Sequence, residues 1–255
     1  MQRLRDPDTG CPWDLEQNYK TIVPSTIEEA YEVVDAIERN DLSALKEELG
    51  DYLFQAVFYC QLASEERLFD LNSVIDGLVA KLVRRHPHVF PAGTLAKNSE
   101  INRRWEELKQ EERSAKGLQG VFDDVPKTLP SLLYAHKTQK RAARQKFDWS
   151  SVEPVYGKLQ EEIEELQDAC QTENREQIEE ELGDLLFTCV NLSRHLKVDA
   201  ETALRRSTEK FKSRYHVMQK LASDQYPNHQ FEELSEAQME GLWQMAKRNL
   251  VQADN

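Results

Sequence analysis

The chain has 255 residues, of which 39% are hydrophobic and 31% are charged, and its formal net charge is −13 at pH 7. The length suits one large or two ordinary domains, and so negative a charge excludes bulk electrostatic affinity for nucleic acid or an anionic membrane. The start has no apolar, signal-like stretch, and no run of about 18 apolar residues occurs. We therefore expect a cytoplasmic protein with no membrane or nucleic-acid partner.

The first half of the sequence predicts four helices after a turn-rich beginning. Apolar residues recur at helical spacing, and Pro87 stops the third helix. Ser25 followed by Glu28 reads as a capping box, so we predict that the first long helix begins there. The predicted helices span residues 25–38, 42–64, 72–85 and 100–116. Residues 117–130 contain two glycines and two prolines and are predicted to be a linker.

The second half predicts five helices, with features in the same order as in the first half. They span residues 131–145, 152–171, 175–196, 199–222 and 235–250. Trp13 and Trp149 precede corresponding helices in the two halves, and we predict that both are buried anchors. The elements predict two helical domains, residues 1–116 and 131–255, joined by the linker.

An acidic pattern occurs twice with the same internal spacing. In both copies EExxE is followed by ExxD, and each ExxD lies within the sequence ELGDxLF. The acids are Glu28, Glu29, Glu32, Glu48 and Asp51 in the first copy and Glu161, Glu162, Glu165, Glu181 and Asp184 in the second. The equal spacing and the shared flanking sequence indicate an internal duplication. They predict an all-α fold with two repeats, each built on an antiparallel helix hairpin.

The acids of each copy should converge between the two helices of the hairpin. Glu162 and Glu165 are three residues apart and share a helix face, with Cβ atoms roughly 5 to 6 Å apart. The midpoint between Glu165 and Glu181 falls at Glu173, in a helix-breaking run, so the acids lie at one height above the turn. Converging carboxylates repel one another unless a cation neutralises them. The predicted metal ligands are Glu162, Glu165, Glu181 and Asp184, and in the first copy Glu29, Glu32, Glu48 and Asp51.

A solvated acidic helix face is the alternative to a metal site, and the sequence leaves it open. Leu182, Leu185 and Leu186 place an apolar stripe beside the acids, which favours a site at the border of that stripe. Gly50 and Gly183 lie within the predicted helices, at a cost of about 1 kcal/mol each relative to alanine. We expect another group to approach the backbone closely at both glycines.

Carboxylates alone select a hard divalent ion, namely Mg²⁺, with Mn²⁺ as the alternative. A di-iron helical bundle would need ExxH sequences, and none of the six histidines follows an acid at that spacing. Bound Mg²⁺ commonly recruits the phosphate groups of a substrate. Lys210, Lys212 and Arg214 could hold phosphate oxygens, although a solvated basic helix face explains them equally well.

Further motifs accompany the acidic hairpins. They are Gly10-Cys-Pro-Trp-Asp14, Arg84-Arg-His-Pro-His-Val-Phe90, Phe147-Asp-Trp149 and Lys210-Phe211. Together with the two EExxE and ELGDxLF segments, they resemble the MazG family of nucleoside triphosphate pyrophosphohydrolases over essentially the whole chain. The resemblance implies tandem all-α NTP pyrophosphatase-type domains, a homodimer, and Mg²⁺-dependent cleavage of nucleoside triphosphates to monophosphate and pyrophosphate with broad specificity.

The resemblance also implies roles for individual residues. Glu162, Glu165, Glu181 and Asp184 would be the metal ligands of the catalytic site. The nucleotide site would be lined by Lys158, Glu161, Glu180, Lys210, Arg214 and Trp243, with Trp243 near the base. The mechanistic hypothesis is metal-assisted hydrolysis at the α-phosphorus, with Glu161 as the candidate general base.

The two repeats differ at one position of the implied site. When Glu29 is aligned on Glu162, Ser25 stands where the second repeat has Lys158. We therefore expect the second domain to carry most of the activity. Two other classes of protein stay open. One binds Mg²⁺ and nucleotide without hydrolysis, and the other is a helical scaffold. Among enzymes, a narrower dUTP or phosphoribosyl-ATP pyrophosphohydrolase also stays open.

Overall fold

A computed structural model of the chain describes residues 1–90, 98–115 and 117–253. The described part of the chain is 74% helical and contains no strand, which confirms the predicted all-α class. The α-helices of this part are α1 (Pro12–Glu16), α2 (Tyr19–Glu38), α3 (Leu42–Glu65), α4 (Leu71–Arg85), α5 (Asn98–Ala115), α6 (Ser131–Arg144), α7 (Glu153–Thr172), α8 (Arg175–His195), α9 (Ala200–Gln225) and α10 (Glu236–Ala253). One short 3₁₀ helix, Phe231–Glu233, lies between α9 and α10. No helix among the described residues combines the length and the hydropathy needed to cross a membrane.

The chain divides into two compact units, Met1–Glu112 and Arg113–Asn255. The segment predicted to be a linker, 117–130, belongs to the second unit. Within that unit Asp124 forms ion pairs with Arg113 and with Arg141 of α6. The domain limits predicted from the sequence stay predictions.

Each unit is built on an antiparallel helix pair, α2 with α3 in the first unit and α7 with α8 in the second. The chain reverses at left-handed residues, Asn40 with φ of 55° and Glu173 with φ of 56°. The next helix is capped by Asp41 in the first unit and by Asn174 in the second, because each side chain accepts two backbone N–H groups of that helix. The turns thus lie where the midpoints between the acids predicted them.

The predicted start of the first long helix is wrong. The helix α2 begins at Tyr19, where Asn18 and Thr21 form the capping box, and Pro24 lies inside the helix. Proline removes one helical hydrogen bond close to the N-terminus. The added turn brings Ile22 into contact with the core, where it is 3% exposed and packs in one cluster with Phe58 of α3. This burial offsets the missing bond and extends the helix past the proline.

The predicted tryptophan anchors are also wrong, since Trp13 is 59% exposed and Trp149 is 39% exposed. The aspartates beside them hold their segments in place instead. The backbone carbonyl of Asp14 accepts a hydrogen bond from the Arg5 guanidinium, and the carboxylate of Asp148 pairs with α8. Polar contacts therefore position both segments and leave the indole rings at the surface.

The core of the second unit lies where α9 packs on α10. Its buried residues are Met218, Ala222, Leu234, Leu242 and Ala246. The helix α6 packs against both α8 and α9, and it has no counterpart of comparable length in the described part of the first unit. The added helix gives the second unit a second layer over its acidic hairpin.

Candidate active site

Three acids of the second unit meet between α7 and α8. Glu162, Glu165 and Glu181 each offer a carboxylate oxygen, and these oxygens lie within 4.8 Å of one another. Glu162 is buried, at 4% exposure, whereas Glu165 is exposed and Glu181 half-buried. Asp184, the fourth predicted ligand, is not part of this group and instead lines a cavity next to Glu162. We call Glu162, Glu165 and Glu181 the second acidic cluster.

The first unit has a matching group at its own hairpin. Glu29, Glu48 and Asp51, which we call the first acidic cluster, have carboxylate oxygens within 4.8 Å of one another, and Glu32 lies outside the group. Loss of hydration, followed by repulsion from Glu32 and Asp51, raises the pKa of Glu29 and of Glu48 above the usual value. A bound cation would relieve this repulsion.

A lysine sits among the acids of the second unit and has no equivalent in the first. Lys158 Nζ lies 2.8 Å from Glu161 Oε1, 3.0 Å from Glu162 Oε1 and 3.9 Å from Glu165 Oε2. These contacts, above all the hydrogen bond to Glu161, raise the pKa of Lys158. At the aligned position the first unit has Ser25, so its acids lack this internal positive charge.

A cavity of about 630 Å³ opens beside the second acidic cluster. Part of its wall comes from the predicted site, namely Lys158, Glu162 and Asp184. The rest includes the aromatic residues Phe122, Phe147, Trp149 and Phe187 and the polar residues Thr138, Gln139, Thr188, Asn191 and Arg194. Sequence reasoning singled out the Phe147-Asp-Trp149 motif but missed the polar lining. In the sequence, this lining could have been recognised from polar residues at core-facing positions of α6 and α8.

One wall of the cavity, residues 146–149, is held against α8 by a salt bridge. Arg194 Nη1 donates a hydrogen bond to Asp148 Oδ2 at 2.8 Å, and His195 Nε2 lies 3.1 Å from Asp148 Oδ1. The bond from Arg194, and then that from His195, lowers the pKa of Asp148 below its usual value, although burial opposes the shift. Lys146 adopts a left-handed conformation with φ of 64° and turns the chain into this segment after α6.

Asp148→Asn is expected to lower the free energy of unfolding by about 1 to 2 kcal/mol at pH 7, because a charged hydrogen-bond acceptor is lost at a partly buried site. The pKa of Asp148 is lower in the folded than in the unfolded chain, so its contribution is present above the unfolded pKa of about 3.8. It is lost as the pH falls through the folded pKa. Urea unfolding of both proteins at pH 7, 4 and 3 measures the difference, and a difference that persists unchanged at pH 3 would contradict this assignment.

The remaining predicted substrate residues lie elsewhere in the second unit. Lys210 and Arg214 are on α9 and Trp243 is on α10; the guanidinium carbon of Arg214 is 6.0 Å from the centre of the Trp243 ring. Trp243 lines a separate cavity of about 570 Å³ between these helices. None of the three belongs to the lining of the cavity beside Glu162. Glu161 and Glu180 are exposed, and Glu161 is paired with Lys158.

Comparison with known proteins finds relatives over nearly the full chain. A family model described as the MazG nucleotide pyrophosphohydrolase domain matches residues 17–90 and 151–218, so each match contains one acidic cluster. The nucleoside triphosphate pyrophosphohydrolase of Escherichia coli (strain K12) is 47% identical over 253 residues, which cover 98% of this chain and 95% of that protein. The Thermotoga maritima nucleoside triphosphate pyrophosphohydrolase/pyrophosphatase MazG is 40% identical over 247 residues, covering 97% and 92%. The uncharacterized protein YabN of Bacillus subtilis (strain 168) is 35% identical over 97% of this chain and 50% of its own length.

Proposed function

Because the chain belongs to the MazG family of nucleotide pyrophosphohydrolases, we propose that it hydrolyses nucleoside triphosphates to nucleoside monophosphate and pyrophosphate with the aid of Mg²⁺. The observation that carries the proposal is the second acidic cluster, whose buried member Glu162 also lines a cavity of substrate size. In this proposal the enzyme acts on ribo- and deoxyribonucleotides alike, as a homodimer in the cytoplasm.

The donor set of the second acidic cluster fits Mg²⁺, with Mn²⁺ as the alternative. All donors are carboxylate oxygens, and no described histidine or cysteine belongs to the group. Glu162, Glu165 and Glu181 would hold the ion, with Asp184 as a further ligand on the cavity side. When bound, the ion supplies positive charge for the phosphate oxygens of the substrate and for the leaving pyrophosphate.

In the proposed mechanism, Lys158 alternates between two partners. In this structure its ammonium group pairs with Glu161, Glu162 and Glu165. Glu162 and Glu165 would hold the ion, and Lys158, no longer needed as their counter-charge, would be able to pair with a substrate phosphate. Glu161 is then freed from its hydrogen bond and can take the proton of the attacking water. Lys210, Arg214, Glu180 and Trp243 stay as predicted substrate contacts.

The second unit is proposed to carry most of the activity. It has the large cavity beside its acids, and it has Lys158 where the first unit has Ser25.

Large apolar side chains near both acidic clusters are exposed, with Leu53 at 62% and Leu186 at 51%. This exposure supports a homodimer in which a second copy of the chain packs on these helix faces.

Product analysis tests the proposal. We expect the full chain with Mg²⁺ to convert each of the eight common ribo- and deoxyribonucleoside triphosphates to monophosphate and pyrophosphate, because the acids would hold the ion against the α-phosphate. Anion-exchange chromatography of the products gives the reading. Diphosphate with free phosphate, or no product from any nucleotide, would contradict the proposal, and turnover of dUTP or phosphoribosyl-ATP alone would replace broad specificity by a narrow one.

A further inference from the structure

We propose that the end of α4 carries a binding site for a phosphate group, built from Arg84 and Arg85, and that Glu112 of α5 closes this site by occupying it. All three residues belong to the first unit. The ligand would be a diphosphate or triphosphate, either inorganic or carried by a nucleotide. The inference goes beyond the proposed function, because it concerns the first unit and needs neither hydrolysis nor a divalent ion.

The carboxylate of Glu112 is bound in the way that guanidinium groups bind a phosphate. Arg85 donates from Nε to Glu112 Oε1 at 3.2 Å and from Nη2 to Oε2, so its planar fork contacts both oxygens. Arg84 donates from Nη2 to the same Oε1. The hydrogen bonds from Arg85, and then that from Arg84, lower the pKa of Glu112 to about 2. Because arginine binds carboxylate and phosphate with the same bidentate geometry, a phosphate group is a direct competitor of this carboxylate.

The second unit has an arginine in the same setting. The sequence Lys81-Leu-Val-Arg-Arg85 in α4 corresponds to Lys210-Phe-Lys-Ser-Arg214 in α9, and Trp105 in α5 corresponds to Trp243 in α10. The structure supports this correspondence. The guanidinium carbon lies 5.6 Å from the centre of the indole ring in the first unit and 6.0 Å in the second. The two units therefore place an arginine on a tryptophan in the same way.

The two units differ in what is bound to that arginine. When the two tryptophans are aligned, Leu250 stands where α5 has Glu112. None of the ion pairs found among the described residues involves Arg214, which is a predicted substrate contact. Glu112 thus gives the first unit an internal anion at an arginine whose counterpart in the second unit is proposed to bind the substrate.

The closed site is accessible to a ligand from the solvent. The Arg84 side chain is 53% exposed, whereas the side chains of Arg85 and Glu112 are 19% and 20% exposed. An incoming anion can therefore contact Arg84 first and then displace Glu112 from Arg85. If Glu112 occupies the arginines for about nine-tenths of the time, the affinity for an external phosphate is about tenfold lower than that of the open site.

Glu112→Gln in the full chain tests the proposal, because it removes the charge at nearly unchanged size. The measurement is a calorimetric titration with pyrophosphate in EDTA, which prevents binding through a divalent ion at the acidic clusters. We expect this variant to bind pyrophosphate about tenfold or more tightly than the wild type. Glu111→Gln makes the same change of charge at the exposed neighbouring residue and should match the wild type. Addition of Arg84→Gln to Glu112→Gln should remove the gain.

Equal affinities in the wild type, Glu111→Gln and Glu112→Gln would overturn the inference, as would a gain that survives Arg84→Gln. If circular dichroism shows that Glu112→Gln is unfolded, the wild type and Arg84→Gln alone decide, because pyrophosphate should bind the wild type more tightly. Equal binding by these two proteins would overturn the inference.

ATP in the same assay identifies the source of the phosphate group. Tighter binding of ATP than of pyrophosphate to Glu112→Gln would identify a nucleotide as the ligand. Equal or weaker binding of ATP would identify the free diphosphate, and either result supports the site. Failure of the wild type to release pyrophosphate from any triphosphate would reject the proposed function, whereas this binding measurement does not depend on turnover.

Discussion

Glu162→Gln is expected to reduce the rate of pyrophosphate release by about three orders of magnitude, equivalent to ~4 kcal/mol in the activation free energy, at unchanged helical content. Glutamine has the size of glutamate but no charge. Glu162 is the buried member of the second acidic cluster, and its Oε1 lies 3.0 Å from Lys158 Nζ. Loss of its charge weakens the binding of a divalent ion at the one ligand that bulk water does not reach. Steady-state pyrophosphate assays and circular dichroism measure the two quantities.

The duplication provides a matched control for this experiment. Glu29→Gln removes the same charge at the same register of the first acidic cluster, and we expect the activity to fall by less than about threefold. Equal losses in Glu29→Gln and Glu162→Gln would mean that both units work. A loss confined to Glu29→Gln would assign the activity to the first unit, and unchanged activity in Glu162→Gln would remove this residue from the metal site.

Removal of divalent ions by EDTA is expected to abolish turnover, and addition of Mg²⁺ or Mn²⁺ in excess to restore it. Both acidic clusters bring carboxylates together at the cost of mutual repulsion, and an ion that bound only to the folded chain would stabilise it. We therefore also expect Mg²⁺ to raise the melting temperature. Activity and differential scanning fluorimetry across a Mg²⁺ titration provide both readings.

The rise in melting temperature caused by Mg²⁺ should depend on pH in a definite direction. Loss of hydration and neighbouring acids raise the pKa of Glu29 and Glu48 in the first unit and of Glu165 in the second. Protons then compete with the ion at higher pH than at ordinary carboxylates, so the Mg²⁺-induced rise in melting temperature should shrink as the pH falls toward these raised values. Full activity in EDTA, or a melting temperature that does not change when Mg²⁺ is added at pH 7, would show that the acids are only a solvated helix face.

The parts of the site that depend on local spacing could be predicted from the sequence. The hairpin turns at Asn40 and Glu173 follow from the midpoints between paired acids. The convergence of Glu162, Glu165 and Glu181 follows from helical periodicity and from equal distances to the turn. These features need no knowledge of any third element, which is why the same reasoning also found the first acidic cluster.

Local spacing also predicted Glu32 and Asp184 as ligands, and both lie outside the acidic clusters. Most of the other errors and omissions involve contacts between distant segments. The helix α2 extends past Pro24 because Ile22 packs on α3, and the exposure of Trp13 reflects polar contacts that replace a buried anchor. The cavity depends on α6 packing against α8 and on the salt bridge from Asp148 to Arg194, neither of which has a local signature. Within the described part of the chain, no residue outside the local helix backbone comes within 4 Å of a Cβ placed at Gly50 or Gly183, so the close approach expected there stays a prediction.

The left-handed residue in each hairpin has a consequence for how these sequences can change over time. Each added residue in an α-helix advances it by about 1.5 Å and rotates it by about 100°. A single insertion or deletion between Glu165 and Glu181, even one that leaves every acid in place, would therefore point two of the carboxylates away from the other helix. The length of the turn at Glu173 therefore fixes the register of the site, and a change of length there should cost more activity than a change in the connections to α6 and α9, which join no pair of clustered acids.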